Sequence, residues 1–426
     1  MFEALKKLAG KKAPAGTPAT GSAWRAPRLL AQGPFKAPVM LLDALGQATA
    51  VWRAEGAILA TRFGGRGEPE EPVKLDEAPG AQVGDPLLAR SPEAMIAVWT
   101  VREQGRTRIL LRTLTRGLEG EPIVAHATSD EILTLQAVVD RRGDVILLWV
   151  RRASQGCFVE ALSYDHQAGT WGATPTRLDG PLGQPTPLGL VPEPKGSALA
   201  VWNHLGDGFE GLVASHYFGK ERIWSDRPVG ITHAVARSLD LASDDLGNAV
   251  LLYLTGDGDR VALDACVLSA ATHTWHGPSR LAAAQDVSQP KAAMAKGGAA
   301  LAVWRQTETN GVTRLFARTF QSGKWAARPE PLEGDMGTGR AHAFALSPEA
   351  RGAVIWAQPT PGATGGAEGT FLRTFALGKW TPSAMPLGNP SKWAHHGLCV
   401  DVRGEHIAAL WLAGVGRCGL MGVVGK

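Results

Sequence analysis

The sequence has few cysteines, and they follow no metal-binding pattern. Four occur among 426 residues, at Cys157, Cys266, Cys399 and Cys418. Metal-binding cysteines usually recur in closely spaced pairs, and these four do not. We therefore predict buried thiols in a reducing compartment, with no disulfide and no metal.

The chain also lacks a strong charge bias and a long apolar run. Its 44 basic residues face 40 acidic ones, without the clustered basic face that a nucleic-acid-binding protein needs, so we predict no nucleic-acid partner. No apolar run reaches the roughly eighteen residues needed to span a membrane, and lysines interrupt the short apolar stretch at the N-terminus. We expect a cytoplasmic protein.

Catalytic signatures are missing as well. The sequence contains no nucleophile elbow, no phosphate-binding glycine loop and no His-Glu-x-x-His pattern. We therefore predict no cofactor and consider enzymatic activity the less favoured interpretation.

What the sequence does contain is a unit of about fifty residues that recurs eight times. Each copy is a short apolar run that ends in an aromatic residue, and the intervals between these aromatics are 47, 50, 53, 51, 51, 52 and 55 residues. The aromatics are Trp52, Trp99, Trp149, Trp202, Tyr253, Trp304, Trp356 and Trp411. A period of this length indicates a repeat architecture in which neighbouring units bury each other's faces.

Each unit predicts four antiparallel strands. A turn such as Asp140–Gly143, Asp244–Gly247 or Asp401–Gly404 precedes the apolar run, which shows little alternation and so indicates a strand buried on both faces. A third strand follows, and a Gly-Lys-Trp type turn opens a fourth. Prolines in this fourth strand indicate the outer edge, where a missing N–H is tolerated.

This pattern predicts an all-β fold, an eight-bladed β-propeller of four-stranded antiparallel blades. The last copy stops after its third strand, whereas the segment from Trp24 to Leu29 matches a fourth strand. We predict that this N-terminal strand pairs with residues 417–424 and closes the last blade. The domain boundaries are then 1–22 for a helix and flexible linker, and 23–426 for the propeller.

The units resemble the Gly-x-Ala-x-Ala-Val-Trp and Gly-x-Trp-x-x-Pro repeats of bacterial β-propeller proteins. Gly196–Trp202 and Gly298–Trp304 are two such copies. The ring is similar in broad terms to kelch and sialidase-type propellers. The resemblance covers residues 23–426 and implies a fold but no activity.

The N-terminal segment carries its own signal. Phe2, Leu5 and Leu8 recur at helical spacing among four lysines, so residues 1–12 predict a short amphipathic helix. We expect it to dock into a groove of a protein partner; peripheral contact with an anionic membrane is the alternative.

The candidate site lies on the rim formed by the second-to-third loops and the connections between blades. There we expect His342 to approach His395 and His396, with Trp393 beside them and Arg305 on a neighbouring blade. Trp393 either anchors a partner or plugs the channel by packing inward.

Two functions remain open from these residues. The favoured one is a non-enzymatic interaction platform or scaffold that presents its rim loops to a protein partner, with the N-terminal helix as a tether. The alternative is a propeller that binds a carbohydrate or small ligand at the channel mouth, as a lectin or a glycan-active enzyme.

Overall fold

Eight antiparallel sheets follow one another along the chain and form the blades of a β-propeller. The computed structural model describes residues 24–65, 68–115, 117–140, 142–206, 208–256, 260–333, 342–360, 367–391, 395–414 and 418–426. The predicted fold class is confirmed. The boundary between residues 22 and 23, together with the helix predicted for 1–12, lies outside the described residues.

Blades are numbered 1 to 8 by the order of their innermost strands, which line the central axis. These strands are Lys36–Leu42, Leu87–Arg90 (with the short Gln82–Val83), Glu131–Val139, Leu188–Pro192, Ser238–Ser243, Val287–Met294, His342–Leu346 and His395–Arg403. Blade 4 also holds a single 3-10 turn at Pro194–Gly196.

The second strands carry the repeating aromatics. They are Gln47–Ala54, Met95–Glu103, Val145–Ala153, Ala198–Gly206, Ala249–Thr255, Ala300–Thr307, Gly352–Pro359 and His406–Ala413. Each of the eight aromatic side chains is at most 3% exposed, as the apolar runs predict for strands covered on both faces.

The third strands pair with the second in every blade. They are Ala57–Gly64, Arg106–Thr113, Gly156–Asp165, Phe209–Phe218, Val261–Ser269, Thr313–Gln321, Glu368–Ala376 and Cys418–Gly425.

The outer strands are edges, as predicted, but four of them are interrupted. They are Val73–Glu77, Ile123–Thr128, Thr170–Trp171 with Thr176–Leu182, Ile223–Trp224 with Val229–Thr232, Thr274–Ala284, Lys324–Trp325 with Glu330–Pro331, Lys379–Trp380 with Met385–Pro386, and Arg28–Gly33. Prolines at 175, 228, 329 and 382 lie in the interruptions, where no ladder N–H is required.

The ring closes through the N-terminal strand. Arg28–Gly33 pairs with Cys418–Gly425 as the outer strand of blade 8, with Arg28 opposite Gly422 and Gly33 opposite Cys418. The prediction of closure is confirmed, although the strand begins at Arg28 rather than Trp24. Pro27, which has no N–H, precedes it.

The hydrophobic core is divided among the junctions between blades. The described residues form eight apolar clusters, and each joins two neighbouring blades. The cluster around Trp52 and Leu410 joins blade 1 to blade 8. No single blade buries its own faces, which explains why the repeats need a closed ring.

The turns between first and second strands follow the predicted chemistry with one exception. Asp140 accepts hydrogen bonds from the N–H groups of Arg142 and Asp144, and Gly143 has a φ of +88°. Asp401 is different, because it lies inside the strand His395–Arg403 and not in a turn. Its carboxylate accepts a hydrogen bond from the N–H of Leu42 in blade 1 at 2.7 Å.

The cysteines are all thiols in the structure. Cys157, Cys266 and Cys418 are buried as predicted, and Cys399 is half-buried with its Sγ 2.8 Å from the carbonyl of Pro38. Burial raises the pKa of the Cys399 thiol to about 12. Among the described residues, no helix has the length and apolar character needed to cross a bilayer. The cytoplasmic location stays a prediction.

Candidate functional site at the upper rim of blades 7 and 8

The upper rim is the face that holds the second-to-third loops and the connections between blades. His395 begins the innermost strand of blade 8 on this rim, and it is only 6% exposed. Its Nδ1 lies 2.9 Å from Oγ1 of Thr370, and its Nε2 lies 2.9 Å from Oγ of Ser391. Both ring nitrogens are therefore engaged within the protein.

Glu368 of blade 7 binds the backbone of the same histidine. Its Oε2 accepts a hydrogen bond from the backbone N–H of His395 at 3.0 Å, and its backbone forms two hydrogen bonds of 2.8 Å with Ser391. Glu368 and Thr370 are 5% and 3% exposed. Ser391, the last described residue before blade 8, is thus hydrogen-bonded to the third strand of blade 7.

The protonation of His395 suits this arrangement. Burial lowers the pKa of its imidazole, against an opposing effect of the Glu368 carboxylate and with a further lowering by His396. A neutral imidazole offers one donor and one acceptor, and each neighbouring hydroxyl can serve as either. The hydrogen-bonded chain from Ser391 through His395 to Thr370 is satisfied in both tautomers.

His342 occupies a different environment. It begins the innermost strand of blade 7 and is 9% exposed, and neither ring nitrogen has a hydrogen-bond partner among the residues that the structure describes. Burial lowers the pKa of His342 to about 3, with smaller contributions from the charges of Lys291 and Arg305 in blade 6. The electrostatic neighbours of His342 are thus in blade 6, whereas those of His395 are Glu368 and His396.

The remaining predicted residues are dispersed. Arg305 is half-buried in the second strand of blade 6, directly after Trp304. His396 is exposed, with its Nε2 3.9 Å from Sγ of Cys418. Trp393 lies outside the described residues, as do Phe2, Leu5 and Leu8 of the N-terminal segment.

Other charged groups on the rim are paired. Arg53 donates to Asp85 at 2.8 Å, and Arg151 donates to both Glu160 and Asp130. Between blades 3 and 4, Asp179 of blade 3 accepts a hydrogen bond from Nε1 of Trp202 and contacts Nδ1 of His204 at 2.8 Å. Within the described ranges, no group of three His, Cys, Asp or Glu side chains could hold a metal ion.

Sequence reasoning missed Glu368, Thr370 and Ser391. None of the three belongs to a motif of the repeat. The available signal was the polar pair Glu368 and Thr370 just before the apolar Phe371-Leu372 of the same strand. A polar residue in such a position needs a partner when it is buried.

No protein-family model and no curated protein matches the sequence. Similar solved structures include polysaccharide lyase Uly1, with 10% identity over 98% of this chain and 94% of that chain and a TM-score of 0.49. A protein of unknown function from Dyadobacter fermentans has 12% identity over 70% of this chain and 95% of that chain, with a TM-score of 0.41. The K499G mutant of NanB sialidase from Streptococcus pneumoniae has 11% identity over 94% of this chain and 70% of that chain, also with a TM-score of 0.41. Likenesses this distant assign no activity to the chain.

Proposed function

We propose that the protein is a non-enzymatic interaction platform that presents the upper rim of blades 7 and 8 to a protein partner. The proposal rests on the hydrogen bonds that join Ser391 and His395 to each other and to Glu368 and Thr370 of blade 7. These bonds hold both ends of the connection between the blades on a rigid sheet. A surface whose anchor points are already ordered loses less conformational entropy on binding.

The test is affinity capture with a matched pair of variants. The double variant Trp393→Ala, His396→Ala alters the proposed surface, whereas Leu377→Ala alters a side chain that is 98% exposed on the opposite rim. We expect a partner that the wild type and Leu377→Ala retain and the double variant loses. Equal retention by all three proteins contradicts the proposal, as does turnover of a small substrate by a purified sample that recovers no partner.

The N-terminal segment serves as a tether in this proposal. Leu5→Asp should abolish docking into a protein groove, and Lys6→Glu with Lys7→Glu should change it little. Both changes should instead weaken attachment to an anionic membrane, and that attachment should also weaken as the salt concentration rises. Unchanged location and partner recovery in both variants rule out the tether.

A second candidate is a small-ligand or carbohydrate site at the same mouth. It is favoured by His342, whose buried ring nitrogens have no hydrogen-bond partner in the described part of the chain and could bond to a ligand that reaches them. A panel of mono- and oligosaccharides should then raise the melting temperature of the wild type and leave that of His342→Phe unchanged. The absence of any shift across the panel argues against this candidate.

A further inference from the structure

The lower rim, opposite the site above, contains a cleft between blades 5 and 6. Its volume of about 750 Å³ lies within the range of ligand-binding pockets. The outer strand of blade 5 contributes His276 and Arg280, and blade 6 contributes Arg318, Phe320, Lys324 and Trp325. We call this the 5/6 cleft.

The equivalent junction between blades 3 and 4 shows why a cleft forms here. There Arg222 reaches back from blade 4 and forms ion pairs with Asp144 at 3.3 Å and Asp165 at 2.9 Å. Asp144 also accepts a hydrogen bond from the N–H of His166. The residue that makes the same contact in blade 5 is the structural counterpart of Asp144. The counterpart is Asn248, which accepts from the N–H of Ala270 in the same way.

The counterparts of Asp165 and Arg222 at the junction between blades 5 and 6 are uncharged as well. In the strand register of blade 3, Asp165 lies opposite the first residue of the outer strand, and Ser269 holds the same position in blade 5. The hairpin that carries Arg222 in blade 4 is reduced in blade 6 to Ser322 and Gly323. Neither residue has a side chain long and basic enough to replace Arg222, and a Cβ added at Gly323 would meet no atom within 4 Å.

Because the two aspartates of the junction between blades 3 and 4 have no charged counterpart here, the charge of the 5/6 cleft differs from that of this junction. Of the described residues that line the 5/6 cleft, none is Asp or Glu and four are Arg, Lys or His. Arg280 is neutralised by Asp264, with Nε 2.6 Å from Oδ1. Arg318 donates to the carbonyl groups of Arg280, Leu281 and Ala327, which satisfy its hydrogen bonds without cancelling its charge.

The cleft has an apolar side as well. Met294, Leu268 and Phe320 line it, and the Phe320 ring packs against Trp325 with centroids 5.2 Å apart. A sugar would need several acceptors for its hydroxyl groups. Among the described lining residues, the side-chain oxygen acceptors are the hydroxyls of Ser269, Ser279 and Ser322 and the amide of Asn248. Both polar groups of Asn248 already bond to Asp244 and Ala270.

We propose that the 5/6 cleft binds an acidic peptide segment of a partner protein, with carboxylates near Lys324 and an apolar side chain against Phe320 and Trp325. Charge complementarity selects an acidic ligand, and the apolar wall with its few acceptors favours a peptide over a glycan. This surface is separate from the upper rim and does not depend on the function proposed for that rim.

The test uses fluorescence anisotropy with a labelled peptide of glutamates around a central phenylalanine. One matched peptide has glutamine in place of glutamate, and another has alanine in place of phenylalanine. We expect the first peptide to bind most tightly and its affinity to fall as salt rises. Equal binding of the glutamine peptide overturns the proposal, as does binding of an acidic polysaccharide such as polygalacturonate in preference to the peptide.

Protein variants localise the binding. Lys324→Glu reverses a charge in the cleft, and Lys379→Glu makes the same change in the matching Gly-Lys-Trp turn of blade 7. Both lysines are exposed, so both variants should fold normally, which melting curves will verify. Lys324→Glu should weaken binding about tenfold, a change of about 1.4 kcal/mol, and Lys379→Glu should weaken it far less. Equal effects of the two variants rule out the 5/6 cleft.

Discussion

Arg90 of blade 2 and Asp401 of blade 8 form an ion pair across blade 1, although 311 residues separate them in the sequence. Nη2 of Arg90 donates to Oδ1 of Asp401 at 3.1 Å, and Nη1 donates to the carbonyl of Leu42 at 2.8 Å. Because the N–H of Leu42 donates to Asp401, one residue of blade 1 is held by both partners. The first, second and last blades are thus joined at the lower end of the channel.

This ion pair should contribute measurably to ring closure. The side chains are 24% and 8% exposed, so the pair is only partly screened by water. In a double-mutant cycle with Arg90→Met and Asp401→Asn, we expect a coupling of roughly 1–3 kcal/mol in denaturant unfolding. The exposed pair of Arg152 and Glu131 is the control and should give less than about 1 kcal/mol. Equal couplings would show that the closing pair is an ordinary surface contact.

Removal of the N-terminal strand should open the ring. A protein lacking residues 1–33 exposes the edge of Cys418–Gly425, whereas one lacking 1–23 keeps the strand Arg28–Gly33. The longer deletion should aggregate, because an unpaired edge recruits strands of other molecules. Light scattering and size-exclusion chromatography of both proteins measure this, and equal behaviour would contradict closure by this strand.

The repeating aromatics should act through packing between blades. Trp202 is fully buried, and its Nε1 donates to Asp179 of the preceding blade at 2.5 Å. Trp202→Ala should cost roughly 3–5 kcal/mol through the cavity that it leaves. Leu377→Ala, at an exposed position, should change stability by less than about 0.5 kcal/mol. If Trp202→Ala keeps its unfolding midpoint and loses binding, the residue is functional instead.

His342 should make the protein sensitive to acid. Burial lowers its pKa to about 3 in the folded protein, against 6.5 for a histidine exposed to water, so the unfolded chain takes up the proton first as the pH falls. The stability present above pH 6.5 is therefore lost progressively as the pH approaches 3, with a slope of up to about 1.4 kcal/mol per pH unit.

His342→Gln tests this dependence because it removes the titrating group. Urea unfolding between neutral and acidic pH should show a shallower loss of stability in the variant than in the wild type. His233→Gln, a change at an exposed histidine, is the control and should follow the wild type. Identical slopes for all three proteins would show that His342 does not titrate as its burial implies.

The features that were predictable from the sequence are those encoded within one repeat. Val201 and Trp202 signal a strand buried on both faces because their neighbours along the chain are apolar too. Gly143 signals its turn because positive φ is a local property of the backbone. Closure could be inferred because one strand was missing at the C-terminus and an extra one was present at the N-terminus.

The sequence did not predict the position of polar side chains whose hydrogen-bond partners lie in a different blade. Asp401 precedes a glycine as the turn residues do, yet its partners are Arg90 and Leu42. Arg112, about which the sequence made no prediction, also has its partner in another blade: it is 5% exposed and donates to the carbonyl of Leu75 in the preceding blade at 3.0 Å. Arg318 and Arg373 hold the same register in blades 6 and 7 and likewise donate to carbonyls of the preceding blade. No spacing within one repeat reveals such contacts.

The sequence alone determined the number of blades, the burial of the aromatics and the closing strand, because apolar patterning and turn chemistry act between residues close in the chain. Tertiary structure alone decided which polar groups meet. It brought His395 to Thr370 and Ser391, left His342 without a hydrogen-bond partner among the described residues, and opened the 5/6 cleft that Ser269 and Gly323 line. The physical reason is that each of these outcomes depends on two strands or blades whose side chains come together only when the ring is assembled.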